Sequence, residues 1–159
     1  MSRVRVVGCG NPDAGDDAVG LLAVREARRS LHPSVEVVEA GPALRVLDLL
    51  EGVDAVIVVD GVRTPKGVRE PGAIIRAQAG PDGLPAELRS SLSSHGLGLS
   101  EAVGLAAALG PLPRVVFLGV EISDVEAGHG LSDAVSSALP ELVGEVVNAA
   151  SQLVVGESV

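Results

Sequence analysis

The chain has 159 residues, of which 47% are apolar and 1% aromatic, and its formal net charge at pH 7 is −9. This length suits one domain with its own core, which we expect to span residues 1–159. The negative charge argues against nucleic acid and anionic membranes as partners, and the near absence of aromatic side chains argues against base stacking. A cation or a basic peptide is compatible with this charge.

The cysteine content and the apolar segments of the chain bear on where the protein is located in the cell. The single cysteine, Cys9, excludes an intramolecular disulfide and a multi-cysteine metal site, and it favours a reducing environment. Because the first predicted strand begins almost at once, we expect no signal peptide. No apolar run reaches the roughly 18 residues of a membrane span. We therefore expect a cytoplasmic protein.

Apolar runs and helical patterns alternate along the chain. The runs predict strands at Arg3–Gly8, Ser34–Ala40, Asp54–Asp60, Gly72–Gln78 and Arg114–Val120. Helices are predicted from Asp16 or Asp17 to about Leu31, from Pro42 to Gly52, over Glu101–Gly110 after a Ser100 cap, and over Leu131–Val154 with a kink or break at Pro140. This order predicts an α/β three-layer sandwich: a central, mostly parallel twisted sheet of about five strands, with helices on both faces. Gly72–Gln78 is the expected antiparallel strand.

Acidic groups and one histidine follow the predicted strands. Ligands of open α/β sheets bind at the carboxyl ends of the strands. Asp13, Asp16 and Asp17 lie in the glycine-rich loop after the first strand, Asp60 ends the third, and His95 stands in a loop before a helix. Two carboxylates and a histidine would suit a borderline divalent ion, although spacing alone does not bring them together.

Other residues near these positions are assigned to shaping the loops. Gly8 and Gly10 allow close approach of the backbone, Asn11 orders the loop through side-chain hydrogen bonds, and Asp16 is a good helix N-cap. Gly61 lets the chain turn away after Asp60. For Cys9 we favour a small packed thiol, and for His129 a structural turn, with a peripheral ligand as the alternative.

A nucleotide-binding domain is the alternative use of the glycine-rich loop. It would employ Gly8, Gly10 and Gly15, with Glu39 as the ribose-binding acid. The pattern is weak, because Asp13 stands where the third glycine of G-x-G-x-x-G belongs and no Gly-Lys-Ser/Thr follows. Three aspartates would also repel phosphates.

Six short motifs are spread over nearly the whole chain: Gly8–Asn11 (G-x-G-N), Gly15–Asp17 (GDD), Asp60–Gly61 (DG), Ser93–Ala102 (SSHGLGLSEA), Gly119–Glu121 (GxE) and Gly130–Ser132 (GLS). Taken together and in this order, they resemble the nickel–iron hydrogenase maturation proteases. The resemblance implies the α/β sandwich fold. It also implies an endopeptidase that removes the C-terminal extension of a hydrogenase large-subunit precursor after nickel insertion.

The resemblance assigns Asp17, Asp60 and His95 as both the metal-contacting and the catalytic residues. The nickel would be supplied by the substrate, and another divalent metal could occupy the isolated protein. Water would be activated by the metal or by a carboxylate base, and a two-aspartate mechanism without metal is the third possibility. The expected partner is the precursor, with the protease a monomer by default. A non-catalytic nickel-binding or nickel-delivery module could use the same three residues.

Overall fold

In the part of the chain that the structure describes, a five-stranded sheet forms the centre. The computed structural model describes residues 2–64, 68–79, 99–123 and 125–156. The strands are β1 (Val4–Cys9), β2 (Glu36–Gly41), β3 (Ala55–Val62), β4 (Ile74–Ala79) and β5 (Arg114–Glu121). They lie in the order β2-β1-β3-β5-β4, and all neighbours are parallel except β4 and β5, which are antiparallel. The predicted fold class and the antiparallel strand are confirmed.

Helices cover both faces of this sheet. The α-helices in the described residues are α1 (Val19–Ala27), α2 (Leu99–Leu109) and α3 (Asp133–Val154). Helices α1 and α3 pack with Val6, Ile57 and Leu118 in one core cluster. On the opposite face, α2 and a 3-10 helix at Ala43–Leu49 cover a second cluster that contains Phe117. Within the described residues, no helix is long and apolar enough to cross a membrane.

Several predicted helix boundaries were wrong. Asp16 and Asp17 lie in a 3-10 turn (Gly15–Ala18) before α1, and the N-cap of α1 is Ala18, so Asp16 is not the expected N-cap. The helix predicted after Pro42 is a 3-10 helix, and Ser100 lies inside α2 instead of capping it. Pro140 lies within the continuous helix α3 and does not split it.

The third strand continues beyond the point where the sequence predicted a turn. Gly61 and Val62 remain in β3, in register with Val120 and Glu121 of β5. The glycine at position 61 serves packing, because a Cβ there would lie 2.7 Å from Cγ2 of Ile122. Gly61 therefore lets the chain that leaves β5 cross close to β3.

The first turn of α1 rests directly on the ends of β1 and β3. A Cβ at Gly20 would lie 2.4 Å from the carbonyl oxygens of Cys9 and Val59, and 3.0 Å from Cα of Asp60. A Cβ at Gly8 would meet the carbonyl oxygen of Gly20 at 2.7 Å. Such distances leave no room for a side chain. These two glycines therefore set how closely the helix approaches the sheet.

Two glycine-to-alanine substitutions, one at this contact and one away from it, should have opposite effects on the free energy of unfolding. We expect Gly20→Ala to destabilise the protein by about 1–3 kcal/mol, because a methyl group would push the helix from the strand ends. Gly144→Ala, in an exposed part of α3 where a Cβ meets nothing within 4 Å, should stabilise it by about 0.4–1 kcal/mol. Urea unfolding followed by circular dichroism measures both. Equal stability of Gly20→Ala and the wild type would contradict the packing argument.

Candidate active site

Two aspartates are buried at the carboxyl ends of the central strands. Asp17 is 5% exposed and Asp60 is 1% exposed. Both lie near the thiol of Cys9, at the end of β1: burial raises the pKa of Cys9, and the negative charges of Asp60 and Asp17 raise it further. The contact between Gly20 and Asp60 explains this proximity, because Asp17 precedes Gly20 by one turn of the same helical segment.

The main chain around Asp17 is fixed by its own loop. Gly10 has a φ of 133°, and a Cβ at this position would lie 1.9 Å from the carbonyl oxygen of Asp17, so only glycine fits. The amide of Asn11 donates to Oδ2 of Asp17 at 3.1 Å, while Oδ1 of Asn11 accepts from the amide of Asp13 at 2.9 Å. The loop therefore wraps around the carboxylate.

The Asp60 carboxylate is held by the strand on which it lies. Its Oδ1 accepts a hydrogen bond of 2.8 Å from the amide of Gly61. Two carboxylates buried near each other disfavour the doubly charged state, and a bound cation or a shared proton relieves this cost. The pair can therefore take part either in cation binding or in acid–base chemistry.

A third metal-binding side chain is not found in the described part of the chain. Within residues 2–64, 68–79, 99–123 and 125–156, no cluster of three or more His, Cys, Asp or Glu side chains could hold a metal ion. The predicted third ligand, His95, lies outside the described residues. The structure thus brings Asp17 and Asp60 to one end of the sheet, while the position of His95 remains a prediction.

Asp16 points away from this pair, towards the segment that links β5 to α3. Its carboxylate is fully buried and accepts hydrogen bonds from the amides of Ser123 (2.9 Å) and Ser132 (2.6 Å). The hydroxyl groups of the same two serines donate at 3.2 and 2.8 Å. The adjacent aspartates of the GDD motif therefore have different surroundings.

Main-chain contacts join the same two segments. The amide of Gly15 donates to the carbonyl of His129 (3.1 Å), that of Gly128 donates to the carbonyl of Asp13 (2.8 Å), and Ala14 forms an antiparallel bridge with Ala127. The side chain of His129 is 51% exposed and lies 3.3 Å from Glu126. The main chain of His129 therefore helps to join the two segments, while its ring lies at the surface beside Glu126.

A further buried carboxylate fixes the chain after β3. Glu121, at the end of β5, accepts a 2.6 Å hydrogen bond from the hydroxyl of Thr64 and a 2.9 Å bond from its amide. Both residues are buried. Glu121 therefore holds the segment that follows Asp60 and Gly61.

Sequence reasoning missed the roles of Gly20 and Thr64, and it did not pair Ser123 and Ser132 with Asp16. A glycine weakens the helix in which it lies, so the glycine at position 20 inside a predicted helix indicated a site of close packing. The two serines carried none, because their partner lies 107 and 116 residues away in the sequence.

The loop amides are used inside the protein. The amide of Gly10 donates to the carbonyl of Gly41 at 2.7 Å, and those of Asn11 and Gly15 bind Asp17 and His129. Glu39, the acid that a ribose would need, is paired with Arg25, whose hydrogen bond lowers the pKa of Glu39. These contacts disfavour the nucleotide-binding alternative, since a phosphate cradle needs amides directed at the ligand.

The family comparison decides the assignment. A family model described as hydrogenase maturation protease (HycI) matches residues 21–149. The chain belongs to the hydrogenase maturation protease family. It is accordingly a peptidase, and thus a hydrolase, of hydrogenase maturation.

Solved structures agree with this maturation protease in fold. The hydrogenase maturating endopeptidase HybD from Escherichia coli is 24% identical, with a TM-score of 0.80 over 95% of this chain and 93% of that one. The [NiFe] hydrogenase maturation protease HybD from Thermococcus kodakarensis is 22% identical, with a TM-score of 0.72 over 93% and 99%. A hydrogenase 2 maturation peptidase from Thaumarchaeota archaeon SCGC_AB-539-E09 is 27% identical, with a TM-score of 0.68 over 92% and 97%. The search of curated proteins returns no significant match.

The burial of Cys9 predicts that the native protease resists thiol reagents. The reactive species is the thiolate, and a raised pKa lowers its fraction at any pH below that pKa. At pH 8 we expect iodoacetamide to leave native protein unmodified during a period in which urea-unfolded protein reacts completely. Cys9 is the only cysteine, so a mass increase reports on it alone, and Cys9→Ala gives the background. Equal rates for native and unfolded protein would contradict the prediction.

Proposed function

We propose that this maturation protease removes the C-terminal extension of a nickel-loaded large-subunit precursor of a nickel–iron hydrogenase. Asp17, Asp60 and His95 contact the nickel carried by the substrate and position the adjacent scissile peptide. The observation that carries this proposal is the burial of Asp17 and Asp60 at one end of the sheet, beside Cys9. The name of the T. kodakarensis HybD as a [NiFe] hydrogenase maturation protease supports the choice of hydrogenase.

The charge of the site supports a cationic substrate group. Oxygen ligands from carboxylates and a nitrogen ligand from histidine suit a borderline divalent ion such as nickel. Two buried carboxylates gain most from a cation that arrives with the substrate, because the cation offsets their mutual repulsion. A precursor without nickel gives the site no such gain and binds more weakly.

The hydrolytic step assigned to the site needs one proton acceptor. One carboxylate takes a proton from a water molecule as the water oxygen bonds to the scissile carbonyl carbon. The carbon–nitrogen bond then breaks, and the proton passes to the departing amine. The metal in the substrate stabilises the developing negative charge when it lies next to the carbonyl oxygen.

The proposal predicts a cleavage that depends on nickel and on all three residues. Mass spectrometry of the precursor, incubated with the protease, should show loss of a single C-terminal peptide only when the precursor is nickel-loaded. Removing a catalytic base or ligand should lower the rate by roughly 10²–10⁴-fold, so Asp17→Asn, Asp60→Asn and His95→Ala should be almost inactive.

Asp13→Asn is the matched control. Asp13 lies in the same loop but is exposed, so its substitution removes one negative charge without touching the buried pair. We expect its cleavage rate to stay within about 2-fold of the wild type. Intact precursor with every protein, together with nickel binding by the wild type alone, would replace the protease proposal with a nickel-delivery role. Cleavage of nickel-free precursor at the same rate would refute the metal requirement.

A further inference from the structure

We propose that Asp16 is a positioning residue, which orients its neighbour Asp17 by anchoring their shared turn to the segment between β5 and α3. This inference rests on the proposed function of Asp17. It assigns different tasks to the adjacent aspartates: Asp17 faces the substrate, while Asp16 keeps Asp17 in place and touches no substrate.

The hydrogen bonds of Asp16 form a buried anchor. Oδ1 accepts from the amide of Ser132 at 2.6 Å. Oδ2 accepts from the amide of Ser123 at 2.9 Å and from the hydroxyls of Ser132 and Ser123 at 2.8 and 3.2 Å. Four donors thus converge on one carboxylate that is inaccessible to solvent. A carboxylate has the acceptor capacity for all four donors, which an amide side chain lacks.

The negative charge of Asp16 is compensated by a helix other than its own. Ser132 is the N-cap of α3, and its hydroxyl also accepts from the amide of Val135 at 3.4 Å. Asp16 therefore lies at the N-terminus of the 22-residue helix α3, where the helix dipole favours a negative charge. This location lowers the cost of burying the charge.

The anchor adds side-chain hydrogen bonds to a turn that main-chain contacts with Ala127 and His129 also hold. Neither the N-cap of this turn, Ala14, nor the N-cap of α1, Ala18, contributes a side-chain cap. The turn has only four residues, Gly15–Ala18, so a rotation that releases Asp16 also moves Asp17. Displacement of a reacting group by about 1 Å can cost roughly 100-fold in rate. The anchor therefore acts on catalysis through Asp17.

Two sets of substitutions separate positioning from charge. Asp16→Asn removes the charge and places an NH₂ group against N–H donors. The double variant Ser123→Ala/Ser132→Ala keeps the charge of Asp16 but removes both hydroxyl donors. Because Ser132→Ala also removes the N-cap of α3, Ala149→Gly, a buried position towards the far end of that helix, serves as the stability control.

The first readout is precursor cleavage by folded protein, with kcat and KM determined separately. We expect Asp16→Asn to lower kcat roughly 10- to 100-fold, and the double serine variant at least about 3-fold, with KM changed less than about 2-fold. Ala149→Gly should keep the kcat of the wild type. A loss in Asp16→Asn but not in the double serine variant would overturn positioning in favour of a direct effect of charge.

The second readout does not depend on activity. The amide of Asn11 donates to Oδ2 of Asp17, so its hydrogen exchange, measured by NMR, reports on the placement of Asp17. We expect faster exchange at Asn11 in Asp16→Asn and in the double serine variant, but not in Ala149→Gly. Exchange at the wild-type rate in Asp16→Asn would overturn the inference. If the wild type cleaves no precursor, the proposed function fails, while the exchange measurement still tests whether Asp16 positions Asp17.

Discussion

The close contact between the first turn of α1 and the ends of β1 and β3 is the constraint on which the site depends. Gly8 and Gly20 permit it, since a side chain at either position would overlap main-chain atoms across the contact. The contact places the turn before α1 over the carboxyl ends of the central strands, where open α/β sheets bind their ligands. Asp17 approaches the end of the sheet because these glycines let the helix pack this closely against the strands.

Burial of acidic groups at this end requires compensation, and Asp16, Asp17 and Asp60 obtain it in different ways. Asp16 receives four hydrogen bonds at the N-terminus of α3. Asp17 and Asp60 each accept a main-chain hydrogen bond. Both also lie close to the thiol of Cys9, and the negative charge of each raises the pKa of that thiol. A carboxylate anchored by several donors suits a structural role, and under the proposed function a cation would stabilise the other two carboxylates.

The sheet could be predicted from the sequence because its strands are short apolar runs buried on both faces. Each predicted strand lies within about two residues of the observed one at either end, the usual uncertainty of such boundaries. That Asp17 and Asp60 lie at one end of the sheet could be predicted from the strands, because parallel strands bring their carboxyl ends to the same edge. The partner of Asp16 could not be predicted, because local reasoning offers an N-cap, whereas tertiary packing supplies serines more than 100 residues away. The turn expected at Gly61 was wrong for a similar reason, since pairing with Val120 of the distant strand β5 extends β3 through this residue.

Under the proposed function, the burial of Asp17 and Asp60 costs electrostatic free energy, and the same burial makes the site selective for a metal-bearing substrate. Two carboxylates held together by the backbone bind a metal-bearing substrate better than a metal-free one, because only the former lowers their electrostatic free energy. Selectivity of this kind requires that the carboxylates cannot move apart when no cation is present. The packing of Gly20 against Asp60 and the proposed anchoring of Asp16 by Ser123 and Ser132 would restrict that movement. Residues that touch no substrate would therefore decide how strictly the protease distinguishes a nickel-loaded precursor from a nickel-free one.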